Sequence, residues 1–389
     1  MVHLKPFSKR EGILSPFFSK SLFIALVMTS ILCAEVLPFF NPTSPSTQYT
    51  AMMNIQGFIA NDPVSIKGFF NDWEGEYNPK NKNNIAMEEF RVDIGIQLNG
   101  YYVGYFYTRN FLATSNRGFV DFYHAIKNDI QFQSEQNYDL QLKMNGIQEH
   151  GVMFSKNIFL LNNNEQKLII GASTYLSYAT DIQDGSLLGK GNIATDMTYN
   201  ATAIADYYYL DNLLYDLDVK NTYGIGYGLH LGLLYSNKKY GIELQMIANN
   251  LLSRSHWKHL PFSYVAIETN NQIINNNGHV EYNPTINGLE VYRNYTQKIT
   301  PKYHIDIKKY FSQKTDMTVG LESMDNITIP YVTISTIFNN TQKVTLLYET
   351  RFKSGGIKFQ EKDYSVSLIS NGFANTSAIA FSGSYIYHF

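Results

Sequence analysis

Gly224-Ile225-Gly226-Tyr227-Gly228 has the spacing of a phosphate-cradling glycine loop, whose bare backbone would approach a nucleotide. Such a loop must follow a strand and open a helix; here the glycines alternate within one strand-like run. Tyr223, Ile225, Tyr227, Leu229, Leu231, Leu233 and Tyr235 share one face, and Gly224, Gly226, Gly228, His230 and Gly232 the other. Small residues on an inward face leave lumen space or let an inner segment approach closely. His256 and His259 flank Trp257 at a spacing that a helical turn would bring together, but Glu268 is the only nearby carboxylate to complete a metal site. Asp181, Asp184, Asp196, Asp206, Asp211, Asp216 and Asp218 offer the oxygen ligands calcium uses, without the spacing of a calcium loop. A nucleophilic dyad would need a serine beside His230, His304 or His388, and nothing in the linear sequence pairs them. No catalytic residue, metal or cofactor is assigned, and the expectation is that the chain is not an enzyme.

The charged residues that recur at strand spacing are more informative. Arg91, Asp93, Asp139, Lys143, Glu243, Asp306, Lys308, Glu322, Glu349, Arg351 and Lys358 fall on the polar faces of alternating segments and are the candidates to line a lumen. Both signs occur, with Gln, Ser, Thr and Gly between them. A lumen of this kind is hydratable and fits a channel or a plugged pore. Strong ion selectivity would need a constriction ring of one sign. Alternatively the charges pair across strands and fill the interior of a purely structural barrel.

These residues must be positioned by long strands. Val92, Ile94, Ile96 and Leu98 alternate with Arg91, Asp93, Gly95 and Gln97, and Asn99-Gly100 then signals a tight hairpin into Tyr101, Val103, Tyr105 and Tyr107. The same period runs through Tyr240/Ile242/Leu244/Met246, Tyr303/Ile305/Ile307, Met317/Val319/Leu321 and Val344/Leu346/Tyr348. Runs of about 9–13 residues suit a tilted strand that crosses a bilayer better than a sandwich strand. Charged residues are 16% and aromatics 15% of the 389 residues, with 30 Tyr and 25 Phe. Mean hydropathy is nevertheless −0.22, which excludes a bundle of membrane helices and matches strands half apolar and half polar. The net charge of −2 gives no case for nucleic acid or anionic lipid as a partner.

The chain ends in Phe381, Gly383, Tyr385, Tyr387 and Phe389 on one face of a last strand. This ending resembles the C-terminal targeting strand of Gram-negative outer-membrane β-barrels, with Ser384 where that motif usually carries glycine. The resemblance implies an insertion signal read by the barrel-assembly machinery, and outer-membrane lipid as surroundings. Asp184-Gly185-Ser186-Leu187, Ala205-Asp206-Tyr207-Tyr208-Tyr209, Ser255-His256-Trp257-Lys258-His259-Leu260-Pro261 and Tyr292-Arg293-Asn294-Tyr295-Thr296-Gln297 are similar to a family of uncharacterised exported barrels. That similarity brings no established activity.

Residues 1–34 read as an export signal: Lys5, Lys9, Arg10 and Lys20 precede the apolar run from Leu22 to Met28, which is too short to span a bilayer. Residues 35–50 read as an irregular periplasmic leader, and 51–389 as one all-β transmembrane antiparallel barrel of about sixteen strands, within about 14 to 18. Alternating directions backwards from the last strand puts the short connections near 162–167, 236–239, 312–315, 339–342 and 361–363 on the periplasmic side. Two long loops, about 180–222 and 251–301, then fall outside. Connections near 73–87 and 114–136 fall on the periplasmic side and are longer than that side favours; Phe119–Ile126 is a short helix or an extra strand pair. The expected function is passage of a small polar or amphipathic solute; the other reading is a non-conducting platform for surface attachment or secretion and assembly.

Overall fold

The computed structural model describes residues 36–44, 49–128, 130, 136–193, 199–210, 222–268, 272–274, 280–282, 285–339, 341–372 and 375–389. Residues 1–35, and with them the segment expected to be an export signal, lie outside this set. Period-two alternation is realised as strands β1 (Thr50–Asn61), β2 (Asn84–Leu98), β3 (Tyr101–Ser115), β4 (Asn137–Asn162), β5 (Gln166–Ile193) and β6 (Tyr199–Tyr209). Then come β7 (Gly224–Asn237), β8 (Ile242–Glu268), the short β9 (Gln272–Ile274) and β10 (Val280–Tyr282), and β11 (Thr285–Lys298). The chain closes with β12 (Lys302–Tyr310), β13 (Thr315–Met324), β14 (Ile327–Phe338), β15 (Gln342–Glu349), β16 (Ser354–Glu361), β17 (Tyr364–Ser370) and β18 (Ala378–His388).

All strands of the main sheet pair antiparallel, and β1 pairs with β18, from Thr50↔His388 to Ala60↔Ala378, so the sheet closes into a barrel. Fourteen strands make the ring, and β6 and β11 bring the main sheet to 16 by extending the wall at one end. Closure removes the sheet edges, which is why so long a sheet with so greasy an exterior is tolerable. Outward residues stay uncovered: Leu176 is 64% exposed, and Val319 and Ile334 are each 56% exposed. Tyr240, Tyr310, Phe311, Phe338, Tyr364, Tyr387 and Phe389 ring the end where the hairpins are tight, as an aromatic girdle does.

That hairpin end carries the turns at 99–100, 163–165, 238–241, 311–314 and 362–363, along with Phe389, whose N–H donates to Tyr49. Every long connection leaves from the opposite, loop end. There the segment after β1 carries α1 (Ile66–Phe70), and the segment after β3 carries α2 (Arg117–Lys127), capped by Asn116, whose side chain accepts from Phe119 N–H. Of the two expectations for 119–126, the helix is the one that forms. Both segments sit at the loop end rather than among the hairpin-side turns, because β4 runs unbroken for 26 residues. Its polar, glycine-bearing middle from Asn145 to Gly151 stays in strand, opposed to a bulge of β5 between Ala179 and Asp181.

The long external loops at 180–222 and 251–301 are also revised. Much of each is strand: β5 continues to Ile193, β8 to Glu268, and β6 and β11 add to their edges. Inward-facing Ile147, Ala179, Ile182, Trp257, Leu260 and Ile299 form an apolar core where this extension curls over the ring.

Candidate functional site

Residues 36–44 are not a leader outside the barrel; they run up inside it. Val36, Leu37 and Phe39 pack with the inward residues Phe58, Met87, Ile247, Met324 and Tyr331, while Phe40 joins Tyr102, Phe106, Met153 and Tyr175. A stretch carrying Pro38 and Pro42 cannot join a sheet ladder, so its backbone polar groups need other partners. The wall supplies them as side chains of separate strands. Near the hairpin end, the amides of Gln97 and Asn157 donate to the Ser44 carbonyl, Asn157 at 2.8 Å. Midway, Asn249 accepts from Phe40 N–H at 2.8 Å and returns a bond to its carbonyl at 2.9 Å, while Gln56 accepts from Phe39 N–H at 2.9 Å. Lys302 donates to the Pro38 carbonyl at 2.7 Å and to Glu89 at 2.8 Å. On β13, the fully buried Glu322 accepts from Val36 and Leu37 N–H at 3.1 and 2.7 Å.

Glycine makes room for this inner segment. A Cβ on Gly171 would lie 2.2 Å from the Pro42 carbonyl oxygen, and one on Gly232 would lie 2.8 Å from Thr43 Cγ2. Beside the segment, Tyr175 and His230 stack at 5.3 Å and Phe40 lies next to His230 at 5.8 Å. His230 accepts from Asn250 N–H through Nδ1, at a point where Asn250 takes a left-handed φ of 60°.

The predicted lumen charges divide into groups. Arg91 forks onto Asp93 at 2.7 and 2.8 Å and lies over the rings of Phe40 and Phe106. Asp306 receives His304 Nε2 at 3.0 Å, and His304 Nδ1 faces Glu322 at 3.4 Å. Lys308 pairs with Glu243 at 2.8 Å near the hairpin end, and Lys358 sits half-buried on β16 opposite Thr345 and Ser367. The other four stand at the loop-end rim or beyond it. Glu349 caps the turn after β15 by accepting from Phe352 and Ser354 N–H. Arg351 forks onto Asp62 at 2.7 and 3.0 Å and ties the segment after β1 to the rim. Asp139 and Lys143 are on the exposed extension. Glu349 is buried on the inward face of β15 at the rim, Arg351 lies in the turn just beyond it, and Asp139 and Lys143 stand above the ring.

Lys143 lines a vestibule of about 500 Å³ at the loop end, with Asn145, Asp184, Tyr295, Lys298 and Asp325. Below it a narrow space bordered by Leu112, Asn145, Ile299 and Thr300 leads to Glu89 and Lys302, and so to the inner segment. Glu89, Lys302, Gln56, Asn249, Asn157 and Gln97 were not singled out from sequence. The signal that finds them is the apolar Val36-Leu37-Pro38-Phe39-Phe40, too greasy for an aqueous leader.

The remaining motifs resolve simply. His256 lies on β8, not on a helical turn, and bonds Thr296 Oγ1 at 3.0 Å, while His259 has a left-handed φ of 51°. His230 and His304 are buried and inward; His388 is at the rim, 3.4 Å from Asp363. Asp184 accepts from Tyr295 and Asn145, and Asp206 from Ser186. Asp196, Asp211, Asp216 and Asp218 lie outside the described residues. Phe381 covers Gly57 on the outer face, and Tyr385, Tyr387 and Phe389 point outward below it.

No protein-family model and no curated protein matches the chain. Among solved structures, it is similar to the TodX deltaS2S3 mutant monoaromatic hydrocarbon channel, at 11% identity and TM-score 0.47, over 90% of this chain and 93% of that one. The Pseudomonas putida toluene transporter TodX aligns at 11% identity and TM-score 0.44, over 93% and 95%. The Escherichia coli outer membrane protease OmpT aligns at 9% identity and TM-score 0.24, over 89% and 100%. Identities at this level transfer no residue role.

Proposed function

We propose that this chain is an outer-membrane channel for a small polar or amphipathic solute, held shut at rest by residues 36–44 in its own lumen. The observation that carries the reading is how that segment is held. It is bound by hydrogen bonds to side chains of separate strands, not built into the sheet, so it can leave while the ring stays intact. The vestibule at the loop end has the volume of a small-molecule site and mixes polar with apolar lining. Solute would enter there, pass the Glu89–Lys302 pair and move through the space the inner segment vacates. In this orientation the loop end faces outward, and the C-terminal strand serves as the insertion signal for the assembly machinery.

The test is conductance in planar bilayers with the full chain and with a variant lacking 36–44. The full chain should stay mostly closed and the deletion should open a persistent pore. A deletion variant that inserts, shows heat-modifiable gel mobility and still conducts nothing would overturn the reading. One observation favours the platform alternative: β4, β5 and β8 run 26 to 28 residues and raise a sheet above the ring. If that sheet is the working part, its removal should abolish capture of a partner and leave permeability unchanged.

A further inference from the structure

On the outer face of the wall, Tyr227, Arg254 and Lys298 stand in one row across β7, β8 and β11, because Arg254 is in register with both others. Neighbouring strands lie about 4.8 Å apart, so two cations face the same small patch. Like charges directly opposite each other destabilise a sheet unless an anion sits between them. Among the described residues the chain provides none. Arg91, Arg109, Arg117 and Arg351 each pair with a carboxylate, and Arg293 lies over the Phe262 ring. Among the described residues, neither Arg254 nor Lys298 has a carboxylate within 4.0 Å. Asp184 and Asp325 share the vestibule with Lys298 but stand beyond that reach.

The surroundings of the row are those of a lipid interface. One row on are Ile225, His256 and Thr296, with His256 stacked beside Tyr227 at 5.9 Å. Lys258 follows on the same face of β8, and Tyr178 and Tyr223 stack close by at 4.9 Å. Leu176, Ile225 and Leu231 are exposed around them. Tyr227, Arg254 and Lys258 on this convex face meet headgroups and acyl chains, and Lys298 reaches the same face from β11, the strand that borders the vestibule. A guanidinium offers a fork to phosphate oxygens, an ammonium adds a point charge, and the phenol of Tyr227 adds a donor.

We propose that Arg254 and Lys298, with Tyr227 and Lys258, hold the phosphate of an anionic lipid headgroup in the leaflet at the loop end. This rests on the outer face touching lipid and not on whether the barrel conducts.

The full chain is reconstituted into nanodiscs containing diphosphoryl lipid A, its dephosphorylated form and phosphatidylcholine, and retained lipid is read by native mass spectrometry. Retention should favour the diphosphoryl form roughly tenfold, the effect expected of two surface cations, and should weaken with salt. R254Q/K298Q should bring the preference close to parity. R254K/K298R, which keeps both charges, should restore it, and K156Q/K167Q near the hairpin end should leave it unchanged. Heat-modifiable mobility identifies variants that fold. No preference in the native chain, an unchanged preference in R254Q/K298Q, or equal loss in K156Q/K167Q would each overturn the site. Failure of the native chain to enter nanodiscs would instead sink the membrane reading, and this site with it.

Discussion

In the proposed closed state, Glu322 holds the start of the inner segment through two backbone donors. It is buried without exposure and spends both oxygens on backbone donors of the inner segment while His304 stands beside it. Hydrogen bonds to an ionised group contribute about 1.5–3 kcal/mol each, so neutralising it shifts the closed state by roughly tenfold or more. E322Q should therefore raise the open fraction in single-channel recordings by about that factor, and a closed fraction equal to that of the native chain would refute the role. His124 sets a different, pH-linked contact. Its ring stacks on Tyr77 at 3.8 Å, while the Tyr77 hydroxyl donates to Asp121 at 2.5 Å. Burial holds the imidazole below its ordinary 6.5, with Asp121 opposing. A depressed histidine contributes stability that is present above the unfolded value and is lost as pH falls through the folded one. Limited proteolysis of 62–83 and 116–128 should thus be slow above about pH 6.5 and quicken on acidification. H124Q should flatten that dependence.

At the scale of elements, the inner segment and the glycines of β5 and β7 are one device. Gly171 has the Pro42 carbonyl where a side chain would be, so G171V must displace either the strand or the segment. The strand is held by ladders on both sides and the segment by separate side-chain bonds, so the segment should give. We expect G171V to insert normally and to show raised resting conductance, with the ring's heat-modifiable mobility unchanged. The inward glycines of 224–232 were legible in sequence as places where an inner segment could come close, and Gly232 does serve Thr43. Which segment would come could be read only from the greasiness of Val36 to Phe40, because Val36 to Ser44 lacks any period. Irregular backbone announces itself only through the partners that satisfy it, and those partners sit up to 286 residues away.

Over the whole molecule, the ring was readable and its extension was not. Alternation with period two on runs such as Tyr223–Tyr235 fixes which face is greasy, and closure follows from the absence of any polar edge. Alternation does not tell where a strand leaves the bilayer. Asp139 and Lys143 keep the same beat as Asp93 and Glu322 but stand above the ring, and Arg351 and Glu349 hold its rim. The inner segment is anchored residue by residue to separate strands: Ser44 by β2 and β4, Phe40 by β8, Phe39 by β1, Pro38 by β12, and Leu37 by β13. Tension applied at the hairpin end would release these ties in order along the chain, beginning with Ser44 and ending with Glu322. Unblocking is then a staircase rather than a single snap, and current traces should dwell at discrete intermediate levels whose number falls when one tether, such as Asn249, is cut.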